Sequence, residues 1–330
     1  MPIPFIRTSV SHSLSIVIPV FNSEQSLSPL MERLVCTLKN CCSSYEIILV
    51  NDGSHDASWS EIYRLCNSYE FIQGIDLGKN YGQHNALLAG IRAAKNDLII
   101  TLDDDLQNPP EEIPKLLSAL KPDIDVVYGA RKKEQHGLSR NLSSRVVKLS
   151  LTYFLGAKTA ENSSAFRAFR TRLREGFKDY QCDFISIDVL LSWTTNRFAC
   201  VTVEHLSRPL GKSNYSPWKL YRHALNMLTG YTTLPLQLAT AIGLAFTVFG
   251  GCVLGYVFFN YFWNGNRVPG FAFIASIVSL FSGATLFSIG ILGEYMARIY
   301  SRSLQRPVFT IRENIHSDSH QNQDSQKRAV

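Results

Sequence analysis

The sequence predicts an α/β domain built on a Rossmann-like, mostly parallel sheet, followed by two C-terminal transmembrane helices. Three observations predict it. Short β-rich apolar runs alternate with helical patterns between residues 14 and 128. Polar and charged groups follow each run. From Leu234 to Gly293 the only charged residue is Arg267. Average composition conceals this division: 45% of the 330 residues are hydrophobic and 18% charged, against about a quarter charged in a soluble domain.

In chain order, strands are expected at 14–20, 45–50, 71–76, 97–102 and 124–128. Each is a near-continuous apolar run, such as Leu14-Ser15-Ile16-Val17-Ile18-Pro19-Val20. Helical patterns fall between them, near 26–40, 57–69, 82–94 and 110–120. Apolar strands separated by helices imply a parallel sheet covered on both faces, with ligands beyond the carboxyl ends of its strands. Residues 131–232 are less regular. The stretches 140–155 and 217–231 mix cations with apolar residues, and read either as basic amphipathic helices on a membrane surface or as half-buried helices.

Two charge-free stretches follow, 234–259 and 268–293, each long enough to cross a hydrocarbon core needing about 20 residues. A polar turn, 260–267, separates them. Basic residues gather before the first (Lys212, Lys219, Arg222) and after the second (Arg298, Arg302, Arg306). The positive-inside rule therefore expects the α/β domain and the tail in the cytosol. The expected layout is an extension at 1–13, the α/β domain at 14–215, an interfacial amphipathic helix at 216–232, the two spans within 233–300, and a cytosolic tail at 301–330, disordered from Ser317.

Composition also excludes classes. Disordered, collagen-like and disulfide-stapled chains do not fit. Seven scattered cysteines form no C-x-x-C pair and no zinc-spaced cluster, as expected of reduced thiols in a cytosolic compartment. The opening Met1-Pro2-Ile3-Pro4-Phe5 is not expected to begin a secretory signal. A net charge of +6 beside an apolar C-terminal third points to a membrane partner and not to nucleic acid. Glycines in the spans suggest close helix packing and a homo-oligomer.

The strand ends carry the chemistry. They read Pro19-Val20-Phe21-Asn22-Ser23-Glu24, Asn51-Asp52-Gly53-Ser54, Gly78-Lys79-Asn80-Tyr81-Gly82-Gln83-His84, Asp103-Asp104-Asp105-Leu106-Gln107 and Gly129-Ala130-Arg131. After parallel strands these groups converge on one edge of the sheet. Three successive carboxylates repel one another unless a cation lies among them. Mg²⁺ or Mn²⁺, held by one or two carboxylates and by the phosphate oxygens of a nucleotide, suits the pattern.

These motifs resemble a family 2 glycosyltransferase of GT-A fold. The branch is that of dolichol-phosphate mannose synthase and the bacterial undecaprenyl-phosphate aminoarabinose and glucose transferases, which act on polyprenyl phosphates. The likeness runs from about residue 14 to 309 and includes Asn108-Pro109-Pro110-Glu111-Glu112, Arg208 with Gly211-Lys212-Ser213-Asn214-Tyr215, and Gly293-Glu294-Tyr295. The resemblance implies sugar transfer from a nucleotide sugar, UDP-linked, to undecaprenyl phosphate, with inversion. It implies an integral protein of the bacterial inner membrane with its catalytic domain cytosolic. By the same resemblance Pro19, Val20, Glu24, Asp52, Lys79, Asp103 and Asp104 meet the donor. Asp105 and Gln107 hold the metal with Asp103, Arg131 lies near the donor, and Arg167 stands by the acceptor. Arg208, Lys212, Ser213 and Tyr215 meet the lipid phosphate.

One departure matters: where some relatives carry an acidic residue two positions before the arginine matching Arg167, this chain has Ala165. A dedicated general base is therefore in doubt. A lipid phosphate, with a second pKa near about 6, is already largely dianionic and can attack unaided. Two other readings compete. A polysaccharide synthase would need a Gln-x-x-Arg-Trp motif and more than two spans. A catalytically inactive nucleotide-binding assembly protein would not need the acidic and basic positions intact. A dehydrogenase is excluded, because no G-x-G-x-x-G follows the first strand.

Overall fold

The computed structural model describes residues 12–131, 164–181, 185–206, 233–263 and 270–316. The segments expected as basic amphipathic helices, 140–155 and 216–232, lie outside the described residues, as do Arg208, Lys212, Ser213 and Tyr215. The described residues fall into two compact units, one formed by those up to 206 together with 307–316, the other by 233–306.

In the first unit the elements are β1 (Ser13–Val20), α1 (Glu24–Cys41), β2 (Ser44–Asn51), α2 (Ser58–Ser68), β3 (Ile72–Leu77), α3 (Gln83–Ala93), β4 (Leu98–Thr101), α4 (Ile113–Ala119), β5 (Val126–Arg131), β6 (Arg167–Arg170), α5 (Ile187–Thr194), β7 (Phe198–Val203) and β8 (Ile311–Ile315). The strands make one sheet in the order β7-β5-β6-β4-β1-β2-β3-β8. Alternation along the central strands explains its stability. Ile16, Ile18, Ile47 and Leu49 face a layer that includes Leu27, Leu30, Met31, Leu34 and Leu38 of α1. Their neighbours Val17, Ile48 and Val50 face Ala86, Leu87 and Ile91 of α3 on the other side. All these side chains are buried, and each contributes about 1.5–3 kcal/mol if aliphatic and large. A strand covered on both faces is mostly apolar, which is why the first four strands were legible in the sequence.

The sheet is not parallel throughout, however. β6 inserts between β4 and β5 and runs antiparallel to both. β7 joins β5 in parallel. The segment 301–330, expected to be a tail outside the domain, supplies β8, which pairs antiparallel with β3 at the sheet edge. None of these three strands was expected. They are short, and Arg-Ala-Phe-Arg and Ile-Arg-Glu-Asn-Ile carry charges that a buried strand ordinarily lacks.

The second unit holds two long helices, α6 (Leu234–Trp263) and α7 (Phe271–Ser303). Pro235–Phe259 has a mean hydropathy of 2.0 and Leu280–Ser303 of 1.3, over 25 and 24 residues. Both are long and apolar enough to span a bilayer. The second helix runs ten residues past Gly293, the expected end of its span, because Glu294-Tyr295-Met296-Ala297-Arg298 continues without a breaker. Glu294 and Arg298 form an i,i+4 pair at 3.1 Å, worth about 0.3–0.5 kcal/mol. The helices pack through Phe246 against Phe281, ring centroids 5.7 Å apart. A Cβ on Gly250 would lie 3.0 Å from Phe281, whereas Gly243, Gly251, Gly255, Gly283, Gly290 and Gly293 have nothing within 4 Å.

Candidate active site

The loops leaving β1, β2, β3 and β4 enclose a cavity of about 270 Å³ at the carboxyl edge of the sheet. Pro19, Val20, Phe21, Asp52, Asn80, Gly82, Gln83, Asp103, Asp104 and Asp105 line it. Of the residues expected at the donor, five of the seven therefore come together: Pro19, Val20, Asp52, Asp103 and Asp104. Phe21, Asn80, Gly82 and Gln83 belong to the quoted motifs but had been given no role. Their signal was position, directly after a strand or at the start of a helix.

Asp52 is the hub of the loops that leave β1, β2 and β3. Its backbone N–H donates to Val20 O at 2.9 Å, joining the ends of β2 and β1. Its carboxylate accepts from the N–H groups of Tyr81 at 2.7 Å and Gly82 at 2.9 Å. Burial pushes the Asp52 carboxyl up to about 6, although those two N–H bonds act the other way. Gly53 follows with φ +64°, and a Cβ there would meet Asn80 N at 2.5 Å and the Lys79 carbonyl carbon at 2.6 Å. Both the left-handed backbone and the close approach require glycine.

Each aspartate of the triplet has its own partners. Gln83 Nε2 donates to Asp103 Oδ1 at 2.6 Å. Phe21 N donates to Asp104 Oδ2 at 3.2 Å. Burial pushes the Asp104 carboxyl up, opposed by bonds from Ser23 and Phe21 and reinforced by the charge of Asp105. Asp105 accepts from Gln107 N at 3.1 Å and from Gln107 Nε2 at 2.6 Å. Leu106 between them sits at φ 60°, a costly conformation for a branched side chain, and Asn22 across the cleft at φ 54°. Leu206 N donates to Gln107 O at 2.9 Å, so the chain leaving β7 passes beside the acidic loop.

The oxygen-only donor set of Asp103, Asp105 and Gln107 fits a hard divalent cation. Among the described residues no group of three or more His, Cys, Asp or Glu is arranged to hold a metal ion.

Other expectations are met differently. Glu24 lies at the start of α1, where its Oε2 accepts from Ala57 N at 2.8 Å and braces the turn after β2. The Lys79 ammonium lies 5.1 Å from the Tyr81 ring centroid. Neither residue is among those lining the cavity. Arg131 ends β5. Arg167, expected beside the acceptor, is instead 1% exposed. Its Nε donates to Thr101 Oγ1 at 3.1 Å, and its guanidinium pairs with Asp188 of α5 and lies 5.9 Å from the Tyr128 ring centroid. Tyr128 Oη donates to Asp188 Oδ1 at 2.9 Å. The acidic partner of Arg167 comes from a helix about twenty residues later, a pairing no sequence motif announces. His84 Nδ1 accepts from Ile187 N at 3.4 Å, a long-range contact from α3 to the start of α5.

Residues 15–180 match glycosyl transferase family 2. The chain is 35% identical over 321 residues to the undecaprenyl-phosphate 4-deoxy-4-formamido-L-arabinose transferase of Yersinia pestis (strain Pestoides F), across 95% of this chain and 97% of that one. It is 36% identical over 315 residues to the enzyme of the same name from Yersinia enterocolitica, across 94% and 95%. Among solved structures, glucosyl-3-phosphoglycerate synthase from Mycobacterium tuberculosis, in complex with Mn²⁺, uridine diphosphate and glucosyl-3-phosphoglycerate, aligns with a TM-score of 0.49 at 15% identity, over 67% of this chain and 80% of that one.

The geometry around Gly53 makes a direct prediction. Gly53→Ala places an L side chain at positive φ, at about 1–2 kcal/mol, and forces the backbone of Lys79 and Asn80 aside. The expected loss is about 2 kcal/mol or more, read as a lowered thermal midpoint of the purified protein. An unchanged midpoint would show that the two loops separate freely.

Proposed function

The chain belongs to glycosyl transferase family 2, and from that premise we propose that it moves a sugar from a UDP-linked donor to undecaprenyl phosphate at the cytosolic face of a membrane. The acceptor class is supported by the 35% identity, over 95% of the chain, to enzymes named for undecaprenyl phosphate. The donor class is carried by one observation, the convergence of Asp52 and Asp103-Asp104-Asp105 on one cavity beside the start of α3.

Electrostatics decides how such a cavity can work. Four carboxylic acids line it, and a nucleoside diphosphate brings further negative charge. At close range like charges cost several kcal/mol or force protonation, about 4 kcal/mol per pair at 4 Å with an effective dielectric of 20. Bound Mg²⁺ or Mn²⁺ supplies the compensating charge and stabilises the leaving diphosphate. Asp105 and Gln107, with Asp103 beside them, would hold that ion. Gly82 and Gln83 bring the N-terminus of α3 to the cavity wall, where its dipole favours phosphate oxygens. Pro19, Val20, Phe21 and Asp52 form the nucleoside end.

The acceptor phosphate oxygen attacks C1 of the sugar from the face opposite the donor diphosphate. A new C1–O bond forms, the old C1–O bond breaks, and the diphosphate leaves with the electron pair, so the configuration at C1 inverts. No proton need be removed, because a phosphate monoester is mostly dianionic above about pH 6. This accords with Ala165 and with an Asp188 already committed to Arg167 and Tyr128. Arg208 and Lys212, with Ser213 and Tyr215, orient the lipid phosphate. Arg supplies planar paired donors and Lys a movable charge. The chain after α7 returns to the sheet that precedes α6, since β8 pairs with β3. With the basic flanks, this supports a cytosolic location for everything outside the two spans and their connecting turn.

Four outcomes test the reading. Full-length protein incubated with nucleotide sugars, undecaprenyl phosphate and Mn²⁺ should yield a lipid-linked sugar detectable by mass. Asp105→Ala should cut that yield on the order of 100-fold, and EDTA should do so reversibly; full turnover without metal contradicts the assignment. Arg208→Ala should lower transfer at saturating lipid by more than about tenfold, with only partial recovery in Arg208→Lys; a normal rate would reduce Arg208 to a surface anchor. Reporters fused at Val330 and Asn264 should signal opposite compartments, Val330 cytosolic. A periplasmic Val330 would overturn the two-span topology.

A further inference from the structure

We propose that Arg312, on the strand that follows the second long helix, is a positioning residue for the donor nucleotide, so that a segment encoded after the spans sets the donor loop. The inference rests on the donor reading above.

Four observations carry it. First, Arg312 makes two contacts at the exit of β3. Its Nη1 donates to Asp76 Oδ2 at 3.2 Å and its Nη2 to Gly78 O at 2.8 Å. Second, Gly78 is held from its other side by the same segment, its N–H donating to Thr310 O at 2.8 Å. The peptide groups that open the 78–82 loop are therefore fixed by residues 310 and 312, while Asp52 fixes the far end of that loop through Tyr81 and Gly82. Asn80 and Gly82 of the loop line the donor cavity.

Third, Asp76 is 2% exposed and passes the constraint inward. Asn51 Nδ2 donates to Asp76 Oδ1 at 2.7 Å, and Asn51 Oδ1 accepts from Ser54 N at 3.2 Å. Those groups flank Asp52 and Gly53. Fourth, the ladder between β3 and β8 breaks at this point: Asp76 faces Glu313 and Leu77 faces Ile311, which leaves Arg312 as the extra residue of a bulge. A bulge re-aims one side chain at the cost of regular pairing, and here the re-aimed side chain reaches the carboxyl end of β3. A strand that merely closed the sheet edge would need neither the bulge nor the arginine.

The Arg312 side chain is 63% exposed but Asp76 only 2%, so removing the arginine leaves a buried carboxylate short of a partner. The thermal midpoint of each variant is therefore measured beside its UDP binding, to separate loss of fold from loss of loop position. The arginine's effect is on loop position, and a displacement of about 1 Å at a substrate-holding loop can change rates up to about 100-fold. The experiment uses the full-length protein in detergent with UDP and Mn²⁺ as the binding probe, alongside steady-state kinetics in both substrates. Arg312→Ala should raise the Kd for UDP and the donor KM by about tenfold, with kcat and the KM for undecaprenyl phosphate nearly unchanged. Arg312→Lys should recover part of the loss, because it keeps a charge on Asp76 but cannot reach Gly78 O at the same time. If Arg312→Ala binds UDP like the wild type, or loses kcat with the donor KM unchanged, the residue only stitches the sheet edge and the proposal falls. If the wild-type protein itself fails to bind UDP, the UDP-donor reading falls first and takes this inference with it.

Discussion

β1 pairs in parallel with β2 on one side and with β4 on the other, Val20 opposite Asn51 and Val17 opposite Thr101. Parallel strands end at a common edge, so this register sets the Pro19-Val20-Phe21, Asn51-Asp52-Gly53-Ser54 and Asp103-Asp104-Asp105 turns side by side. A slip of one residue would turn every apolar side chain of a strand to the opposite face. With Leu14, Ile16 and Ile18 buried against α1 and Val17 against α3, such a slip mismatches both helical layers at once. The packing that stabilises the sheet and the geometry that assembles the cavity are thus a single constraint.

That constraint produces a cavity with an unusual charge economy. Backbone and amide N–H groups donate to each of its carboxylates: two N–H groups to Asp52, Phe21 N to Asp104, and the Gln83 and Gln107 amides to Asp103 and Asp105. Among the described residues, the Lys79 ammonium lies over Tyr81 and Arg167 is held in the interior. Dipoles orient these acids, and under the proposed reading a divalent ion arriving with the diphosphate would meet them as oxygen ligands. A lysine salt bridge at Asp105 would stabilise the empty cavity and compete with that ion.

The buried Arg167–Asp188–Tyr128 cluster serves the same edge from behind. Desolvating a guanidinium is expensive unless it is paired and its donors are satisfied, and here Asp188 and Thr101 both accept from it. Because Thr101 closes β4 and Asp188 lies in the first turn of α5, the arginine ties the strand that launches the acidic loop to that helix. Ala165 contributes its carbonyl, which accepts from Thr101 Oγ1 at 2.5 Å. A small side chain leaves room for the arrangement.

The first four strands were legible to within one residue at each end, and so were the strand-end motifs that became the cavity. Two-sided burial demands an unbroken apolar run, and composition records that demand directly. The two long apolar helices are written in the same way, by the near absence of charge. Tertiary structure alone decided the positions of β6, β7 and β8, the burial of Arg167, and the reach of Arg312. Backbone N–H and C=O groups are alike at every residue, so a short strand does not specify which edge it joins. An arginine in isolation belongs in water. Only when Asp188 arrives from α5 can one be buried, and only when the chain returns from its second long helix to the edge of β3 does the other find Asp76 and Gly78.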